Sequence, residues 1–161
     1  MKKIAFITGA TSGIGKATAL KAAAAGFDII ISGRRKERLL QLADDIRRMG
    51  AEVLPLAFDV RDPEAVKTAI GQLEDKWQNI AVLVNNAGLA VGTNPIQEGL
   101  LEDWERMIDT NIKGLLYITR EVAPLMVARQ NGHIVNLASI AGKEVYPGGN
   151  VYCATKHAVD A

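Results

Sequence analysis

Along this chain, short apolar runs alternate with stretches in which apolar positions recur every three or four residues. The first run, "KIAFITG" (3–9), predicts a strand, and "KATALKAAAAG" (16–26) predicts a helix ending at Gly26. "FDIIISG" (27–33) predicts a second strand, followed by the amphipathic helix "KERLLQLADDIRRMG" (36–50), closed by Gly50. "EVLPLAFDV" (52–60) predicts a third strand. Pro55 within it points to a sheet edge, because proline cannot donate to a neighbouring strand. Asp62 and Pro63 suit an N-cap and a first helical residue, and open a helix to about Lys76. "IAVLVNNAG" (80–88) is a fourth strand and turn, 102–129 a long helical stretch, and "GHIVNLAS" (132–139) a fifth strand. A last helix starts near Asn150.

Strands that are apolar on both faces and separated by helices imply a parallel sheet covered on two sides. Parallel crossovers are right-handed, which leaves a three-layer α/β fold of the doubly wound, Rossmann type. The strand order is 3-2-1-4-5 if the chain reverses direction after strand 3. Residues 1–161 then form one domain, with no repeat or linker to divide it. Such a sheet takes its ligand at the carboxyl ends of the strands, beside the reversal.

Composition narrows the partners. Nineteen basic and 18 acidic side chains give a net charge of +1, no general field for nucleic acid or anionic lipid. No apolar run is long enough to cross a bilayer. The N-terminal "MKKIAFITGA" imitates a signal peptide, but its apolar run breaks too early at Thr8-Gly9. A single cysteine, Cys153, has no internal disulfide partner and suits a reducing cytoplasm. No Cys/His/Asp cluster has metal-ligand spacing.

The first strand runs into "TGATSGIGKA", with glycines at 9, 13 and 15. Glycine tolerates positive φ and lets phosphate oxygens approach the backbone, and the following helix offers free N–H groups to an anion. A P-loop is excluded, since five residues on from Gly9 stands Ile14, and Lys16 is followed by Ala17. The pattern G-x-x-x-G-x-G, between a strand and a helix, points to nucleotide binding by Gly9, Ala10, Thr11, Ser12, Gly13, Ile14 and Gly15. The bland reading is a glycine-rich connector. At the end of the second strand, where an NAD-binding fold carries an acid for the ribose 2′-OH, stand Arg34 and Arg35. Two guanidinium groups could grip a 2′-phosphate, which selects NADP. Alternatively, they begin a solvated helix, as Lys36 and Arg38 do.

These stretches resemble the short-chain dehydrogenase/reductase family. The matches are "TGATSGIG" (8–15), "DV" (59–60), "NNAG" (85–88), Asn111 in "DTNIKG", Ser139 in "NLAS" and "YCATK" (152–156), in family order across the chain. A finer likeness, in "NNAGLAVG", "EDWERMIDTNIKGLLYITR" and "YPGGNVYCATK", is to the branch of NADP-dependent 3-hydroxy acid dehydrogenases, which act on serine and similar compounds.

The resemblance implies an oxidoreductase that moves a hydride between NADP and a small hydroxy acid or carbonyl substrate. Tyr152 would take the alcohol proton. A nearby ammonium favours the phenolate, and Lys156, four residues on, shares its helix face. Lys156 would also hold the nicotinamide ribose. Ser139 ends the fifth strand and could hydrogen-bond the substrate oxygen; otherwise it caps a strand end. Asn111 would hold a water that relays protons through Lys156; otherwise it marks a break or cap in the helix. Asp59 would bond the adenine amino group, Val60 would lie against the ring, and Asn86 and Gly88 would shape the turn beside the cofactor. Asn85 is expected to brace strands. His133 is expected to be structural, and His157 to face away without an acid–base partner.

Relatives of this kind continue with a sixth strand, a substrate-covering segment and a seventh strand, and assemble as homodimers or homotetramers. The expectation is that these residues are the front of a longer enzyme, with an exposed edge on the fifth strand. L-Serine and 3-hydroxypropionate lead the substrates. The alternatives are a catalytically inactive NADP-binding fragment and a ketone or sugar-alcohol reductase of the same family.

Overall fold

The computed structural model describes residues 2–161. Its five strands are β1 (Ile4–Ile7), β2 (Asp28–Gly33), β3 (Val53–Ala57), β4 (Ile80–Asn85) and β5 (His133–Asn136). They form one parallel sheet in the order β3-β2-β1-β4-β5. The helices are α1 (Gly13–Ala24), α2 (Lys36–Arg48), α3 (Pro63–Gly71), α4 (Leu101–Ile108), α5 (Leu115–Ala128) and α6 (Asn150–Asp160). No described helix is long and apolar enough to cross a membrane.

The all-apolar strands explain the layering. Successive residues of a strand point to opposite faces, so an unbroken apolar strand needs cover on both. Ala5 and Ile7 of β1 and Ile29 and Ile31 of β2 pack with Ala19 and Ala23 of α1 and Leu39, Leu42 and Ile46 of α2. Ile4, Phe6 and Ile30 face the other way, onto Val66 and Ile70 of α3 and Ile118, Val122 and Met126 of α5. A fully buried isoleucine or phenylalanine of this kind contributes about 1.5–3 kcal/mol. The alanines of α1 give that helix a flat face against the sheet.

Pro55 lies in β3, an edge strand. The opposite edge, β5, pairs only with β4 and leaves Val135 37% exposed. Gly26 and Gly50 take φ of +88° and +83° just after α1 and α2, where the chain reverses.

Several boundaries differ from the sequence reading. α1 starts at Gly13, because the last glycines of the loop are already helical. α3 stops at Gly71, where glycine and the turn at Gln72 swing Leu73 inward; a separate 3-10 turn, Asp75–Trp77, then buries Trp77. β3 and β5 end before Asp59 and Ser139, so both residues lie in loops beyond the strand ends. The stretch 102–129 is two helices joined by a π-helical segment, Asp109–Gly114, with Asn111 inside it.

Candidate active site

The reversal of strand order between β1 and β4 opens a cleft at the carboxyl end of the sheet. Two loops meet there. Thr8, at the end of β1, is the seam. Its hydroxyl accepts from the N–H groups of Asn86 at 3.1 Å and Ala87 at 3.0 Å. In return, Asn86 Nδ2 donates to the carbonyls of Thr8 at 2.8 Å and Gly9 at 3.1 Å. The approach is so close that a Cβ on Gly9 would lie 2.8 Å from Ala87 Cα, and Gly9 has φ +64°.

The cleft has a volume of about 660 Å³. Gly9, Thr11, Ser12, Ile14, Arg34, Arg35, Asp59, Val60, Asn86, Gly88, Ser139, Tyr152 and Lys156 all line it. Thus residues from all five strand ends and from α6 share one space. Ala10, Gly13, Gly15 and Asn111 do not line it. Ala10 is fully buried, and a Cβ on Gly15 would overlap Asn86 and lie 2.6 Å from the Gly9 carbonyl. Ala10 and Gly15 shape the loop from behind, while Gly13 is exposed with open space where a side chain would be.

At one end of the cleft, α1 begins without a side-chain cap and without an acidic residue in its first turn. Its first N–H groups and positive dipole end therefore face the cleft uncompensated, which suits a phosphate. Arg35 reaches back to the loop, donating to Thr11 Oγ1 at 2.6 Å and Ser12 Oγ at 3.1 Å. Arg34 is 60% exposed and stands 3.8 Å from Asp59 Oδ2. Asp59 is held by Arg61, through Nη2 at 2.7 Å and Nε at 3.0 Å to Oδ2. Burial raises the Asp59 carboxyl pKa, but the hydrogen bonds and charge of Arg61, with the charge of Arg34, outweigh burial and leave it below the usual value. This end fits the adenosine and phosphates of a dinucleotide.

At the other end, Lys156 is buried and donates to the Leu137 carbonyl at 2.7 Å. Its ammonium lies 6.0 Å from the centre of the Tyr152 ring. Burial pulls its pKa below the ordinary lysine value. Ser139 Oγ accepts from the Ala141 N–H at 3.2 Å and so starts a short 3-10 turn. A hydroxyl that accepts there keeps its own proton to donate elsewhere.

Asn111 stands behind this end. Its Oδ1 accepts from the Leu89 N–H at 2.9 Å, and its Nδ2 donates to the Leu89 carbonyl at 2.9 Å and Thr155 Oγ1 at 3.0 Å. Thr155 in turn donates to the Tyr152 carbonyl at 2.8 Å. The side chain of Asn111 is therefore occupied in tying the loop after β4 to α6. Asn85 braces strands as expected, donating to Asn136 Oδ1 and Thr119 Oγ1, both at 2.9 Å. His157 Nδ1 meets only the Cys153 carbonyl, and His133 is exposed at the start of β5.

The sequence reading missed Thr8, Arg61 and Thr155. Thr8 and Thr155 sit inside the quoted motifs, and a small polar residue within an apolar run, after β1 for Thr8 and inside α6 for Thr155, was their signal. Arg61 had none, because its role depends on where the loop turns.

A parallel sheet reversing beside a glycine loop defines a dinucleotide-binding protein of the doubly wound class. The model of the short chain dehydrogenase family matches residues 3–161, and the chain belongs to that family. It is 51% identical over 152 residues to a probable NADP-dependent dehydrogenase of Haemophilus influenzae, covering 94% of this chain and 59% of that protein. It is 49% identical over 153 residues to the NADP-dependent 3-hydroxy acid dehydrogenase YdfG of Salmonella typhi, covering 95% and 60%. The chain thus spans about 60% of the length of these curated relatives. Among solved structures, serine dehydrogenase from Escherichia coli superposes with a TM-score of 0.92 at 47% identity, over 97% of this chain and 71% of that one. The closed form of serine dehydrogenase complexed with NADP+ gives 0.90 at 47% identity, over 97% and 62%.

Proposed function

We propose that the chain carries the cofactor-binding and proton-handling residues of an NADP-dependent oxidoreductase acting on the CH–OH group of a small 3-hydroxy acid, such as L-serine or 3-hydroxypropionate. One observation carries this reading: Ser139, Tyr152 and Lys156 line the same cleft as the glycine loop and Arg34. The names of the relatives support NADP and the substrate class.

Bound NADP supplies the hydride acceptor for alcohol oxidation. The protein's own groups do the rest. The glycine loop and the start of α1 would hold the phosphates, Arg34 would meet the 2′-phosphate, and Asp59 and Val60 would lie beside the adenine. Ser139 Oγ–H donates a hydrogen bond to the substrate oxygen and keeps its proton. Tyr152 takes the alcohol proton. Lys156, pinned by Leu137, sets a positive charge beside the phenol, and a phenolate there would restore the cation that burial disfavours. The lone buried Cys153 fits a cytoplasmic setting, and the same reading makes the working enzyme a homodimer or homotetramer.

A second reading, NADP binding without turnover, is favoured by the open substrate side, where Ile140 is 69% and Val145 77% exposed. The deciding experiment has two stages. NADPH binding is followed by nicotinamide fluorescence, and NADP reduction is then assayed with L-serine and 3-hydroxypropionate. Binding with reduction supports the first reading, and binding alone supports the second. Absence of binding removes both.

A further inference from the structure

Asp59 presents an unusual problem for a site that must attract a phosphate. It puts a carboxylate in the cleft within 3.8 Å of the guanidinium offered to that phosphate. A carboxylate has roughly four acceptor positions. Arg61 fills them. Its main-chain N–H reaches Oδ1 at 3.0 Å and its Nε reaches Oδ1 at 3.1 Å. Nε and Nη2 reach Oδ2 at 3.0 and 2.7 Å. Arg34 is left outside this fork, 60% exposed and beyond hydrogen-bond distance.

We propose that Arg61 is a positioning residue that sets cofactor preference: by holding Asp59 in close hydrogen bonds, it leaves Arg34 in only a long, 3.8 Å ion pair with that carboxylate, available to the 2′-phosphate of NADP. The inference rests on the NADP reading above. Two charges explain it. An unshielded Asp59 would repel a 2′-phosphate, and it would also draw Arg34 from its long 3.8 Å ion pair into a close, hydrogen-bonded one. Arg35 does not substitute, because it is engaged with Thr11 and Ser12. Mutual support is visible in the pair. Hydrogen bonding and charge from Asp59 raise Arg61, while Arg61 overcomes the burial that would raise Asp59. NADH has no 2′-phosphate and is indifferent to where Arg34 points.

The test is the ratio of NADPH to NADH affinity, measured by fluorescence titration on one sample of each protein. A partly unfolded sample lowers both affinities alike, so the ratio isolates the effect. Arg61→Gln is expected to lower the ratio about tenfold, equivalent to one charge-assisted hydrogen bond. Adding Asp59→Asn to Arg61→Gln removes the competing carboxylate and, because the two residues are directly coupled, is expected to restore the ratio to within about twofold of wild type. An unchanged ratio in Arg61→Gln, or a drop that persists in the double variant, overturns the inference. A wild-type chain that binds NADPH no better than NADH overturns the NADP reading itself, before any variant is made.

Discussion

Lys156 Nζ donates to the main-chain carbonyl of Leu137 at 2.7 Å while lying 6.0 Å from the centre of the Tyr152 ring. The carbonyl fixes the ammonium to the loop after β5, and α6 fixes the phenol relative to it. Tyr152→Phe keeps the ring and this packing but removes the proton acceptor. Turnover should fall by at least about 100-fold, the usual weight of a general base. NADPH affinity should stay within about twofold of wild type, because no cofactor charge is lost. Parallel rate and fluorescence measurements check this; retained turnover would exclude Tyr152 as the base.

The pH dependence of Lys156 has a definite sign. Its folded pKa is depressed by burial. A depressed lysine costs stability at every pH below its folded pKa, where the buried group is charged. That cost fades as pH rises from the folded pKa to the unfolded value near 10.5. Lys156→Met removes the titration. Wild type should therefore gain stability relative to Lys156→Met as pH rises over that window, and the two should run parallel below it. Urea unfolding at a series of pH values measures it. A wild type that loses stability relative to Lys156→Met as pH rises through that window would contradict the burial account.

Asn111→Ala should destabilise the fold by roughly 2–3 kcal/mol, since it strands both the N–H and the carbonyl of Leu89. Thr155 would also lose its partner. Hydrogen exchange offers a local check: the Leu89 amide should lose protection in the variant. Unaltered protection would show that the loop after β4 is held by something else.

The glycine loop separates two reasons for glycine. Gly13 has φ +55° and open space around its missing side chain, so Gly13→Ala should cost only about 1–2 kcal/mol of backbone strain. Gly15 has an ordinary helical φ, but a Cβ there would overlap Asn86 and the Gly9 carbonyl. Gly15→Ala should push the seam between the two loops apart and weaken NADPH binding more than Gly13→Ala does. Thermal melts and binding titrations of the pair check the order.

Much of this was legible in the residues. Alternation of apolar strands with helices was enough for the sheet order, because strands buried on both faces admit few arrangements. Pro55 revealed an edge by the donor it lacks. The cleft's lining followed from motifs at strand ends, where a parallel sheet must gather its ligand contacts. Less legible was what each side chain is bonded to. Nothing in "DVRD" says that Arg61 folds back onto Asp59, or that Arg35 turns to the loop and Arg34 does not. The π-helical segment was hidden as well, since an extra residue in a helical turn leaves the apolar spacing around Asn111 nearly intact.

The order β3-β2-β1-β4-β5 has a further consequence for anyone altering this protein. On the proposed reading, the residues that would hold the nucleotide's phosphates and adenine come from residues 9–61, and those that would handle the proton come from residues 139–156. Between them runs one narrow joint, where Thr8 and Asn86 exchange hydrogen bonds. Changes on opposite banks of that joint lie on separate stretches of chain and share few partners, so their free energies should add. Cofactor choice and reaction chemistry are thus two nearly independent dials, and Thr8 is where turning one would be felt by the other.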